Sequence, residues 1–198
     1  MPKVIGLTGN IACGKSLVAA MLSELGVQIV DADRVAHQVM APPGPVFDAI
    51  VREFGSVVVA PDGTLDRRRL GGIVFADPAA LKRLDRLVHP HTGVAIRQII
   101  ADSPATVVAV EAIKLIEAGT YRVCNSVWLV TCRRDQQLER LQATRGLDLT
   151  EATKRVDAQT PASDKLPFVD RVIDASGSPE ETRRQVLEGW RAVATGSR

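Results

Sequence analysis

Lys3–Ser16 reads KVIGLTGNIACGKS, and this stretch decides the fold. Lys3–Thr8 (KVIGLT) is a short apolar run of strand character. Beyond the loop, Leu17, Met21, Leu22 and Leu25 recur at helical spacing over Ser16–Leu25, and Gly26 ends the pattern. Between them, Gly9-Asn10-Ile11-Ala12-Cys13-Gly14-Lys15-Ser16 fits G-x-x-x-x-G-K-[ST], a phosphate-binding loop set between a strand and a helix. Backbone N–H groups and the helix N-terminus make a nest for phosphate oxygens, and the glycines let the backbone come close. Lys15 can reach the β- and γ-phosphates of a nucleotide, and the Ser16 hydroxyl can ligate Mg²⁺.

Working outward, strand signals recur at Val27–Val30, Thr106–Val110, Val127–Thr131 and Val169–Ile173. The first, third and fourth strands are apolar on both faces, as a parallel sheet covered by helices requires. A closing helix over about Pro179–Val193 has Pro at its start, Glu180 and Glu181 in its first turn and Arg191 near its end, charges that suit the helix dipole. About 70 residues separate the second and third strands, against the dozen or so a crossover needs. They carry helical patterns at Val35–Met40, Val46–Phe54, Arg67–Phe75 and Pro78–Ile100, so an inserted subdomain is expected. Arg133–Pro167 is charged and helical, breaks at Gly146 and restarts at Thr150-Glu151 with Thr150 as N-cap; its polarity suggests a mobile lid. The expected architecture is an α/β P-loop NTPase fold: a five-stranded parallel sheet flanked by helices, an inserted helical substrate-binding subdomain and a helical lid. One domain then comprises a core of residues 1–33, 104–132 and 168–198, an insertion over 34–103 and a lid over 133–167.

Composition is compatible with this. The chain has 198 residues, 45% hydrophobic and 24% charged, enough to bury a core. No apolar run approaches the roughly 18 residues of a membrane span, and MPKVIGLTG is a poor signal peptide. No membrane association and a cytoplasmic location are expected. A net charge of +2, few aromatics and no reader motif give no support for nucleic-acid binding. Cys13, Cys124 and Cys132 are odd in number and lack metal-ligand spacing, so neither a disulfide nor a zinc site is expected.

Several side chains outside the loop carry candidate chemistry. Asp31-Ala32-Asp33 ends the second strand on the side where open α/β sheets bind ligands, and strand alternation sends both carboxylates the same way. One could accept a proton from a substrate hydroxyl; Asp33 could equally be the N-cap of a following helix. Glu111 follows the third strand and Glu117 lies six residues on; either could hold Mg²⁺ through water or be a surface carboxylate. Arg133, Arg134, Arg140, Arg145 and Arg155 could neutralise a transferring phosphoryl group or simply form a solvated face. Cys13 would have its pKa lowered by the helix dipole and raised by bound phosphate, or serve as a small filler. His89-Pro90-His91 reads as a helix break or pocket wall, and Arg67-Arg68-Arg69 as a solvated run.

The segments IGLTGNIACGKS, VDADRVAHQV, LDRRRLGGIVF, LVHPH, RLQATRGL, TEATKRVDAQ and DRVIDASGS together resemble the dephospho-coenzyme A kinase family, in order and spacing, over nearly the whole chain. The resemblance implies ATP- and Mg²⁺-dependent phosphorylation of the ribose 3′-hydroxyl of dephospho-CoA. It implies Asp33 as the base and Lys15 on the β/γ-phosphates, with Ala12 to Leu17 as the backbone cradle. It also implies Arg140 as the stabiliser of transferred charge, Arg145 assisting from the lid, and Ser176-Gly177-Ser178 near the adenine. Asn10, Ala12 and Cys13 stand where the family usually has Gly, Gly and Ser; Lys114 replaces a Leu and Ala175 an Asn. A P-loop kinase for another small acceptor, such as a nucleoside or sugar acid, shares the same loop, and a non-catalytic nucleotide-binding module is the third possibility. A monomer is the default assembly.

Overall fold

The structure, a computed structural model, describes residues 1–196. Five strands, β1 (Lys3–Thr8), β2 (Gln28–Asp31), β3 (Val107–Glu111), β4 (Ser126–Thr131) and β5 (Arg171–Asp174), form one sheet in the order β2-β3-β1-β4-β5. Its pairings are parallel throughout. β1, β3 and β4 are buried along almost their full lengths, which is why they read as unbroken apolar runs. On one face Ile5, Leu7, Trp128, Val130 and Ile173 pack with Val18 and Leu22 of α1 (Lys15–Glu24) and Val186 of α8 (Pro179–Thr195). Val4, Val108, Val110 and Leu129 are buried with the opposite parity along their strands. Gly6 shares the parity of Val4; a Cβ there would lie 2.7 Å from Leu115 Cδ2 and 2.8 Å from Cys124 Sγ, so the 112–124 segment packs directly on strand backbone.

Strand and helix bounds follow the expected pattern within a few residues, and the shifts have identifiable causes. β5 begins at Arg171 rather than Val169 because Asp170 pairs with Val127 through its side chain: Val127 N donates to Asp170 Oδ2 at 2.7 Å, and Asp170 N to Val127 O at 2.9 Å. α8 opens on a capping box between Ser178 and Glu181 with Pro179 at its first position.

The chain divides into two compact units, Met1–Asp31 with the chain from Ile100 onward, and Ala32–Ile99. The second unit holds α2 (Ala32–Val39), α3 (Pro45–Phe54), α4 (Arg67–Ala76) and most of α5 (Pro78–Ala101). Val46, Ile50, Val58, Leu65, Leu70, Val74, Ala80 and Val88 form its core. α5 runs through Pro90 without a break, against the expected interruption. The lost N–H bond is a cost of about 3 kcal/mol in a helix interior. Leu81, Leu84, Leu87 and Val88 before the proline pack in the unit's core, and Ile96 and Ile100 after it are buried, so packing on both sides holds the helix straight through.

In the first unit, residues 133–167 supply α6 (Arg134–Arg145), α7 (Leu149–Asp157) and a 3₁₀ segment, Ala162–Phe168. Gly146 ends α6 at φ 62°, as the break there requires. The N-cap of α7 is Asp148, whose Oδ1 accepts from Glu151 N at 2.8 Å; Thr150 lies inside the helix. This charged stretch is not core-free: Leu141, Ala152 and Val156 are buried together, with Ile11 and Ala12 of the glycine-rich loop packed against them.

β1 and β3 are neighbours whose following connections leave toward opposite edges of the sheet, β1 toward β2 and β3 toward β4. Such a reversal opens a crevice at the carboxyl ends of the strands, where ligands of open α/β sheets bind.

Candidate active site

The loop Gly9–Gly14 leaves β1 into that crevice and turns into α1. Gly14, at φ 104°, is the N-cap residue, and no side chain caps the helix. The head of α1 is therefore left without a side-chain partner, and the helix dipole there favours an anion. Gly9 is needed for packing as well as for its φ of 152°: a Cβ there would overlap Val130 O and lie 2.7 Å from Cys13 Sγ. Ala12 adopts φ 57° and is the single non-glycine residue with positive φ among the described residues. A side chain in that region costs roughly 1–2 kcal/mol, so neighbouring contacts must hold it there.

Those contacts come from residues 132–160. Gln159 Oε1 accepts from Ile11 N at 2.7 Å, and Gln137 Nε2 donates to Ile11 O at 2.9 Å. Asn10 Nδ2 donates to Thr160 O at 3.1 Å. The Arg140 guanidinium bridges two carbonyls, Ala12 O at 3.2 Å and Ala175 O at 3.0 Å. Ser176 closes the same side: its hydroxyl accepts from Arg133 N at 3.0 Å and its carbonyl from Gln136 Nε2 at 2.8 Å. Ser176 also holds the Asp174 carboxyl below the usual carboxylate range by hydrogen bonding. Gly177 leaves room for the Glu181 carboxylate, which a Cβ would overlap.

Lys15 is nearly buried at the head of α1, and Ser16 beside it is exposed. Among the described residues no three His, Cys, Asp or Glu side chains cluster as metal ligands. The exposed Ser16 hydroxyl is an oxygen donor of the kind a hard cation such as Mg²⁺ takes. Glu117 is engaged elsewhere: Lys165, almost fully buried, lies 3.5 Å from Glu117 Oε1 and donates to Ile113 O at 2.9 Å. Ile113 O also accepts from Thr8 Oγ1 at 3.1 Å, which ties the segment after β3 to the strand end beneath the loop. Glu111 is paired in register with Leu7 and Asp31.

The sequence-predicted residues thus fall into groups. Gly9, Asn10, Ile11, Ala12, Cys13, Gly14, Lys15, Ser16 and Leu17 make one continuous loop and helix start; Arg140 is bonded to its Ala12 carbonyl, and Ser176 to Arg133 and Gln136. Arg145 lies in the last turn of the same helix as Arg140, five residues on, or about 7.5 Å along the axis. Asp33 is neither strand tail nor N-cap. β2 stops at Asp31 and α2 starts at Ala32, so Asp33 sits in the first turn of a helix, and strand alternation does not relate it to Asp31. The Cys13 thiol is pushed up, not down: it is buried, and loss of hydration outweighs the lowering influence of Lys15 and Arg140. Residue-by-residue reading missed Gln137 and Gln159. The one available signal was that Gln159 ends the segment TEATKRVDAQ.

Known proteins resemble this chain along nearly its whole length. A family model described as dephospho-CoA kinase matches residues 3–181. The chain is 44% identical over 199 residues to the dephospho-CoA kinase of Symbiobacterium thermophilum, covering 98% of this chain and 82% of that one. It is 42% identical over 191 residues to that of Geobacter metallireducens, covering 95% of each. Among solved structures, a Thermus thermophilus protein superposes with a TM-score of 0.84 at 32% identity, over 96% of this chain and 97% of that one. The dephospho-CoA kinase of Campylobacter jejuni gives 0.73 at 25% identity, over the whole of both chains. A shikimate kinase of Acinetobacter baumannii gives 0.55 at 13% identity, over 100% of this chain and 96% of that one, a likeness of fold alone.

Proposed function

The chain belongs to the dephospho-CoA kinase family, and from that premise we propose that it transfers the γ-phosphoryl group of ATP to the ribose 3′-hydroxyl of dephospho-CoA, giving CoA and ADP. It is a P-loop transferase acting in coenzyme A synthesis. The observation that carries the reading is the uncapped head of α1, with Gly14 and Ala12 both at positive φ and Lys15 beside them, within a family match that spans residues 3–181.

Phosphoryl transfer asks little covalent chemistry of the protein; positioning and charge stabilisation do most of the catalysis. The backbone of Gly9–Leu17 cradles the phosphates. The Lys15 ammonium lies on the β- and γ-oxygens and follows the charge that develops on the leaving ADP. The Ser16 hydroxyl is the residue fit to hold Mg²⁺, which when bound would supply positive charge against that developing on the phosphates. Asp33 accepts the proton of the attacking 3′-hydroxyl. Arg140, already anchored on the loop's carbonyl side, adds positive charge beside the cradle, and Arg145 assists from the end of α6. Ser176 and Gly177 border the adenine. Residues 34–103 bind dephospho-CoA, and residues 133–167 act as the lid. The protein works as a cytoplasmic monomer.

Replacement of the proposed base tests the mechanism. Asp33→Asn keeps the shape and removes the proton acceptor, so CoA formation, followed by mass, is expected to fall by about 10²–10⁴. The ATP-induced rise in melting temperature should persist. Full turnover in that variant would remove Asp33 from the mechanism.

A further inference from the structure

Ile11 is gripped at both ends of its backbone. Its N–H is taken by Gln159 Oε1 at 2.7 Å and its carbonyl by Gln137 Nε2 at 2.9 Å. On one side Asn10 Nδ2 reaches Thr160 O, and on the other Ala12 O receives Arg140 and the Cys132 thiol. The residue held between these contacts, Ala12, has the left-handed φ of 57°. Glycine adopts that conformation freely; alanine does not. The loop's concavity depends on it, because alternating right- and left-handed residues turn successive N–H groups toward one point.

We propose that Gln159 is a positioning residue for nucleotide binding. By occupying the Ile11 N–H it holds the kink at Ala12, and so keeps the N–H groups of residues 14–16 converged on the phosphates. The proposal deepens the kinase reading of the loop and rests on it. Gln159 acts through Ile11 and makes no contact with the reacting atoms. Its effect is preorganisation: a loop already in its bound shape loses less freedom when the ligand arrives. An acceptor oxygen is what the position requires, so Glu can replace Gln there and Leu cannot.

The test is ATP affinity, measured by calorimetry with ATP and Mg²⁺ and no acceptor. Gln159→Leu is expected to weaken ATP binding by about tenfold, in keeping with the loss of one hydrogen bond and the stranding of its donor. Gln159→Glu keeps the acceptor but sets a negative charge beside the phosphate cradle, so it is expected to leave the Ile11 amide protected from exchange, which Gln159→Leu does not. The decisive variant is Ala12→Gly combined with Gln159→Leu. A glycine at 12 needs no holding, so the pair is expected to recover most of the lost affinity. A merely structural role for Gln159, such as anchoring α7, would give no such recovery. Unchanged ATP affinity in Gln159→Leu, or no recovery on adding Ala12→Gly, would overturn the proposal. Amide exchange at Ile11 in the unaltered, nucleotide-free protein is a second measurement that needs no variant. The amide is expected to be protected, and free exchange there would also overturn it. Because neither readout involves an acceptor, a protein that binds ATP in this way but leaves dephospho-CoA unphosphorylated would contradict the kinase reading alone.

Discussion

Gly6 and Cys124 form one close fit: the bare backbone of β1 leaves room for the Cys124 sulfur, which would come within 2.8 Å of any Cβ at Gly6. Burial there, with the Asp170 carboxylate as a smaller influence, pushes the Cys124 thiol up to about 12 from an ordinary value of 9.0. Cys132 is pushed up to about 11, chiefly by burial as well. Both thiols are therefore favoured neutral by the fold. The stability they contribute is complete below about pH 9 and is lost as the pH climbs toward 11–12. The urea midpoint is expected to fall steeply above pH 9, and Cys124→Ala to flatten that alkaline slope, whatever it does to the midpoint at neutral pH. An unchanged slope would contradict the account. This behaviour was not legible in the sequence. At Cys13 the sequence posed a contest between helix dipole and bound phosphate, whereas burial, a property of the folded neighbourhood, decides the direction.

At the scale of elements, Lys165 joins three pieces of chain: the 3₁₀ segment that carries it, the Glu117 carboxylate, and the Ile113 carbonyl that also receives Thr8 from β1. The ammonium is buried while the Glu117 side chain is 38% exposed, so the two halves of the pair are not equivalent. Lys165→Met leaves a carboxylate that water can reach and should cost about 1–2 kcal/mol, much of it the lost bond to Ile113. Glu117→Gln removes the counter-charge of a buried cation that keeps its bond to Ile113 O, and should cost more, about 2–3 kcal/mol after allowance for the partner's exposure. Urea unfolding of the two variants orders them; a larger loss for Lys165→Met would contradict the asymmetry. The elements themselves were largely legible. β1, β3 and β4 announce themselves as apolar runs, and the Gly146 break is where α6 ends. The misreadings lie where one element abuts the next. Helix α2 starts directly on the end of β2, so a D-x-D pattern that looked like strand alternation is split between two geometries. Likewise Pro90 read as a break because a local rule was applied where packing on both sides prevails.

Across the whole molecule, the P-loop motif together with the alternating strand and helix pattern was enough to place the sheet, and the segments quoted for the family resemblance span nearly all of it. What a linear reading could not supply is the set of side-chain-to-backbone bonds around the loop. Gln159 lies 148 residues from Ile11 and Gln137 lies 126, and no local pattern marks a glutamine whose partner is a distant peptide group. The central claim is acceptor choice, since phosphate cradles of this kind serve many substrates. The most direct measurement is ADP release from ATP and Mg²⁺ with dephospho-CoA, adenosine, AMP, shikimate or gluconate offered separately, with the product mass taken for each. The account predicts ADP release that depends on dephospho-CoA and a product heavier by one phosphate from that acceptor alone. Folded, ATP-binding protein that leaves dephospho-CoA unmodified, or that phosphorylates another member of the panel in preference, would contradict it.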